Sequence, residues 1–135
     1  MKTKAALELA DVKAIAAAAE AEALANQWAV SIAIVDDGGH LLWLQRLDGA
    51  APISAQIAPA KANTAAMGRR ESRVYEEMIN AGRVSFLSVP GVHGLLEGGV
   101  PILKDGQCIG AVGVSGVKST EDVQIARAGI AALAL

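Results

Sequence analysis

An alanine-rich run opens the chain, and within it Val12, Ile15, Ala19 and Ala23 recur three or four residues apart, the spacing of one helix face. Glu8, Asp11, Glu20 and Glu22 take other positions around that face, so a helix with one apolar side is predicted over about Leu9 to Asn26. The period then changes to two. Val30, Ile32 and Ile34 alternate with Ser31 and Ala33 as far as Asp36, a strand pattern of β-branched residues. Asp37-Gly38-Gly39 can supply the positive φ angles of a tight turn, and Leu41 to Arg46 returns as the paired strand, with Leu42 and Leu44 on one face and Leu41, Trp43 and Gln45 on the other. A turn follows, then a helix over about Ser54 to Gly68, in which Pro59 requires either a start near Ala58 or a local bend. A polar helix is predicted over about Ser72 to Ala81, ending at Gly82. Ser88 to Gly99 reads as a loop, with a short strand expected at Leu95-Leu96. A second hairpin pairs Val100–Lys104 with Gln107–Val114 across Asp105-Gly106. Ser119 to Asp122 has the form of a capping box with Asp in place of Glu, opening a last helix to about Leu133.

The element order is therefore α-β-β-α-α-β-β-α. Two hairpins separated by helices imply an antiparallel sheet with helices packed on it, an α+β arrangement within the broad α/β class rather than a doubly wound parallel sheet. At 135 residues, with no repeat or linker, residues 1–135 read as one domain. The composition is 53% hydrophobic with a mean hydropathy of +0.37, and a small chain this apolar is expected to hide surface in a homo-oligomer. A net charge of -2 and only 3% aromatic residues argue against nucleic acid or an anionic membrane as partner. No run approaches the ~18 apolar residues of a membrane span. The acidic residues of the first helix interrupt any signal-like stretch, and the single Cys108 suits a reducing compartment, so a cytoplasmic location is expected.

Four strings, VSIAIVDDGGHLLWLQRLDGA, IAPAKANTAA, EGGVPILKDGQCIGAVGVSG and STEDVQIARAG, follow one another in this order. Together they resemble the GlcG/HbpS-like family, which includes the haem-binding protein HbpS and the C-terminal domain of PduO, and the resemblance spans about Leu9 to Leu133. It implies a profilin-like fold, commonly in homo-oligomers. It also implies a small-ligand pocket rather than a named reaction: some members bind haem or take part in redox sensing, some accompany corrinoid enzymes, and many have no assigned reaction. Haem is thus a candidate cofactor. The first helix carries no histidine, which departs from family members thought to ligate haem from that helix.

Lys61 and Thr64 lie three apart and share a helix face. Lys61 could hold a carboxylate or a haem propionate, or it could be a surface lysine; Thr64 could add a hydroxyl to the site or bond its own helix. Gly98, Gly99 and Pro101 bring bare backbone to the start of a strand, suited to close approach of a ligand or another chain. Ser115 stands at a strand end near a helix N-terminus, where an anion could sit. His93, in the glycine-rich loop, could act as acid, base or iron ligand, or be a plain loop histidine. His40, Cys108, Met67 and Tyr75 are the other possible axial ligands. Asp36 and Asp48 bracket the first hairpin; a carboxylate pair could do acid–base work, but each is expected to cap a turn, with Asp48 pairing Arg46. No metal-ligand spacing is present, and no metal site is predicted. The residues thus support a homo-oligomeric protein binding a small anionic ligand through Lys61, Thr64, His93, Gly98, Gly99, Pro101 and Ser115. Alternatives are a small catabolic enzyme (tautomerase, isomerase or lyase) with Lys61 and His93 as catalytic candidates, and an accessory subunit of another enzyme.

Overall fold

Both alternating segments become hairpins. In the computed structural model, which describes residues 1–135, Ser31–Asp36 forms β1, Leu41–Arg46 β2, Gly99–Lys104 β3 and Gln107–Ser115 β4. They make one antiparallel sheet in the order β2-β1-β4-β3. The two hairpins join through their inner strands, with Ser31 opposite Ser115 and Asp36 opposite Gly110. Four helices complete the α-β-β-α-α-β-β-α order: α1 Leu9–Ala25, α2 Ser54–Gly68, α3 Arg73–Asn80 and α4 Ser119–Ala131. A short 3-10 turn spans Val84–Ser88.

The alternation of each strand sorts its side chains between two unlike layers. Ile32, Ile34, Val100, Ile102, Val112 and Val114 join Val12, Ile15, Ala19 and Ala23 of α1 and Val123, Ile125 and Ala126 of α4 in the larger core. Trp28 and Trp43 pack on its margin. The smaller core holds Ala33, Val35 and Ala111 of the sheet against Ala58, Ala62, Ala65 and Ala66 of α2. No helix is long and apolar enough to cross a membrane.

α2 spans Ser54–Gly68 as its pattern predicts, with Pro59 inside it rather than a start near Ala58, because a proline in the second turn removes one N–H donor without stopping the helix. Two local expectations are corrected. The cap of α4 lies one residue earlier than Ser119: the Lys118 N–H donates to the Glu121 carboxylate at 3.2 Å, and Asp122 is left for another role. Leu95-Leu96 forms no strand, since side chains rather than a neighbouring strand hold that backbone. The Ser72 hydroxyl donates to the Leu96 carbonyl at 2.5 Å, and the Glu97 N–H donates to Glu76 at 2.8 Å.

Candidate functional site

The small-residue face decides how near α2 comes to the sheet. A Cβ on Gly113 would stand 2.1 Å from the Ala58 carbonyl oxygen, so only glycine permits this approach. It lays Lys61 across the end of β4. Lys61 is 4% exposed, and its Nζ donates to the Val114 carbonyl at 3.0 Å and to Asp122 Oδ2 at 3.1 Å. The other Asp122 oxygen accepts the Val117 N–H at 3.3 Å. Burial pushes the Asp122 carboxyl up to about 6, while the Lys61 ammonium pulls the other way. Gly98 and Gly99 cover this pair: a Cβ on Gly98 would lie 2.6 Å from Lys61 Nζ, and one on Gly99 2.2 Å from the Lys61 carbonyl oxygen. Ser115 is buried next to Val114, and Pro101 is half-buried further along β3, opposite Ala111.

Thr64, one turn beyond Lys61, is also buried, and it does not bond its own helix. Its hydroxyl donates to the His93 carbonyl at 2.5 Å. Gly94, at a φ of 66°, presses on the backbone of Ala60 and Lys61, where a Cβ would come within 2.6 Å. The segment around His93 is therefore strapped along α2 while its imidazole stays exposed. That imidazole borders a cavity of about 300 Å³ between α2, the β1–β2 turn and the strap. Val35, Leu41, Pro59 and Ala60 supply apolar wall, and Asn63 bridges the rim by donating to the Gly39 carbonyl at 3.1 Å. Sequence reasoning did not single out Asn63, Pro59 or Leu41. The available signal was that Pro59, Ala60 and Asn63 recur at helical spacing on α2.

His40 is exposed at the same turn, with Nδ1 3.1 Å from Asp36. Partial burial pushes the Asp36 carboxyl up, but the N–H groups of His40 and Gly38 and the imidazole outweigh it and hold the carboxyl below its usual value. Asp36 caps its turn as expected. Asp48 forms no ion pair with Arg46. No three His, Cys, Asp or Glu side chains converge as a metal site.

The haem-ligand candidates separate by access. Cys108 is buried with Sγ 3.3 Å from the Gly110 carbonyl, and Tyr75 is buried with its ring centre 5.0 Å from that of Phe86. His93, His40 and Met67 are exposed, and of these His93 lines the cavity. About 300 Å³ is the low end of the range for small-molecule sites, so the cavity accommodates one edge of a flat macrocycle. Leu42 and Leu44 of β2 are exposed on the sheet face that α2 covers. The residues thus fit an apolar ligand edge with one imidazole. They provide no free lysine at Lys61 for a propionate.

An antiparallel sheet with two helices on one face and one long helix on the other, in this order, defines the protein as an α+β sandwich of the profilin-like type. The family described as "Haem degrading protein HbpS-like" matches residues 7–131, and the chain belongs to it. Protein GlcG of Escherichia coli (strain K12) is 57% identical over 115 residues, 85% of each chain. The crystal structure of HbpS superposes with a TM-score of 0.89 at 32% identity, covering 98% of this chain and 94% of that one. The crystal structure of a PduOC:heme complex superposes with a TM-score of 0.85 at 30% identity, covering 95% of each.

Proposed function

We propose that this protein binds a small planar or anionic ligand, with haem the leading candidate, in the cavity between α2, the β1–β2 turn and the His93 strap. The observation that carries the reading is the exposed imidazole of His93 at the rim of an apolar cavity, held there by the buried Thr64 hydroxyl. Membership of the HbpS-like family and the haem-bound PduOC relative support it. His93 is the residue that meets the ligand, and Thr64 positions it. Lys61, Gly98, Gly99, Pro101 and Ser115 act beneath, fixing the height of α2 and the strap above the sheet. Bound haem would supply an iron centre, and this chain's contribution would be one nitrogen ligand and an apolar wall. The protein works as a homo-oligomer in the cytoplasm. Exposed Leu42, Leu44, Ile53 and Met67 give it apolar surface to cover, and the buried Cys108 thiol suits a reducing compartment. The enzymatic alternative draws less support, because a lysine already held by Asp122 and the Val114 carbonyl is poorly placed to hold a substrate carboxylate.

Haemin titration followed in the Soret region, with native mass spectrometry of the same samples, tests the reading. Saturable, stoichiometric binding that weakens by about tenfold or changes its Soret position in His93→Ala is the expected result. Binding that is unsaturable, or identical in that variant, removes His93 and the cavity from the site.

A further inference from the structure

The β1–β2 turn has two sides. Gly39 lines the apolar cavity, whereas Asp37 is bonded to Lys4 and Arg69, two residues that line a different cleft of about 280 Å³. Three stretches of chain distant in sequence converge there. The segment before α1 brings Lys2 and Lys4, the residue after α2 is Arg69, and the β3–β4 hairpin brings Leu103, Gly106, Gln107 and Cys108.

Charge marks this cleft. The whole chain carries a net charge of -2, yet three cations line one small concavity. One carboxylate answers them: Lys4 pairs with Asp37, and the Lys4 hydrogen bond holds the Asp37 carboxyl below its usual value. Lys2 enters none of the ion pairs, nor does Arg69. Arg69 donates only to neutral acceptors, the carbonyls of Asp37 and Ala66, and both bonds leave from Nη1. Its Nη2 and Nε are therefore free to form a two-pronged contact with an oxyanion. The backbone that carries it is unusual too: Arg69 sits at a φ of 58°, a left-handed conformation that a residue with a side chain rarely adopts. The α2 carbonyls Ala65 and Ala66 accept the cap N–H there, so the strained turn both ends the helix and delivers the guanidinium to the cleft. Half-exposed Leu103 and the buried Cys108 add the apolar part of its lining.

We propose that the cleft between the N-terminal segment, Arg69 and the β3–β4 turn is a second binding site, for a small organic dianion of the phosphate monoester class. The free edge of the Arg69 guanidinium takes two phosphate oxygens, Lys2 and Lys4 supply charge around them, and Leu103 with the turn receives a short carbon skeleton. A cleft of this volume suits a compact metabolite. The site is independent of the His93 cavity, and the two can be occupied together.

Amide shift titrations at low ionic strength with inorganic phosphate, glycerol 3-phosphate and acetate test it. The two phosphates are expected to give saturable shifts confined to residues near Lys2, Lys4, Asp37, Arg69 and Leu103 to Cys108. They should bind about tenfold more tightly than acetate and weaken as salt is added. Arg69→Gln should lose about tenfold in affinity, and Arg69→Lys should recover only part of it. Because Arg69 also ties down two carbonyls, Lys2→Gln provides a second variant that breaks no bond of the fold, and it should weaken phosphate binding as well. His93→Ala should leave the phosphate titration untouched, which separates this site from haemin binding. Unsaturable shifts, phosphate no tighter than acetate, or an unchanged Kd in Lys2→Gln and Arg69→Gln would each overturn the proposal.

Discussion

The two faces of the sheet solve packing in opposite ways. Toward α1 and α4 the strands present Ile32, Ile34, Ile102, Val112 and Val114, large branched side chains that fill the space between layers. Toward α2 the same strands present Ser31, Ala33, Ala111, Gly113 and Ser115, and α2 answers with alanines. The first face gains stability from buried area. The second removes area so that a helix backbone can touch a strand backbone, and at that contact it admits polar groups: the Ser31–Ser54 hydroxyl pair at 2.8 Å and the Lys61–Asp122 pair. The His93 cavity lies beside this thin layer. The thick layer is built to hold the fold, and the thin one to set fixed distances around a site.

The largest test of that contrast is Lys61→Met. Removing one partner from a buried ion pair is expected to cost about 3–5 kcal/mol, read by urea unfolding at neutral pH. Lys61→Met combined with Asp122→Leu should recover most of the loss, because no buried charge is then left alone. A single variant as stable as the parent would show that the pair does not clamp α2 to α4. Next comes Gly113→Ala, whose new Cβ meets backbone at Ala58 and should cost about 1–3 kcal/mol. Ile34→Val on the thick face should cost only about 0.5–1.5 kcal/mol. If the two fall in the reverse order, the faces do not differ as described.

The pH dependence gives a further test. Asp122 is raised in the folded state from the ordinary 3.8 to about 6, so the folded protein binds that proton more tightly than the unfolded chain does. Its contribution is full below about 3.8 and declines as pH rises through about 6, then stays flat; the sum is on the order of 2–3 kcal/mol. Asp36 and Asp37, both held low, act in the opposite sense and withdraw stability as pH falls below 3.8. Denaturation curves taken from pH 4 to 8 should show that decline in the parent protein and lose it in Asp122→Asn. An effect as small as that of Ile34→Val is expected for Thr64→Val, about 1 kcal/mol in stability, with looser haemin binding that Thr64→Ser restores. Equal haemin affinity in the valine variant would detach the strap from the cavity.

Periodicity carried the elements well. β2 and α2 run over the residues that their patterns delimit, Leu41–Arg46 and Ser54–Gly68, because alternation, a glycine stop and alanine content act within a few residues of one another. The strand expected at Leu95-Leu96 is absent for a non-local reason: Ser72 and Glu76 hold that backbone from α3 and the residue preceding it. The candidate site divides in the same way. Spacing alone placed Lys61 and Thr64 on one helix face. Their partners, Asp122 and the His93 carbonyl, lie 61 and 29 residues further along, and Asp122 looked from its neighbours like part of a helix cap.

Local chemistry therefore determined the order of elements, their approximate ends and which side of each is apolar, since backbone sterics and side-chain period are properties of short segments. The tertiary structure alone decided which sheet face received α2, that a lysine would lie buried against an aspartate from the last helix, and that Lys2, Lys4 and Arg69 would share one cleft. Those outcomes depend on the height at which one layer settles on another, and only the packed chain sets that height.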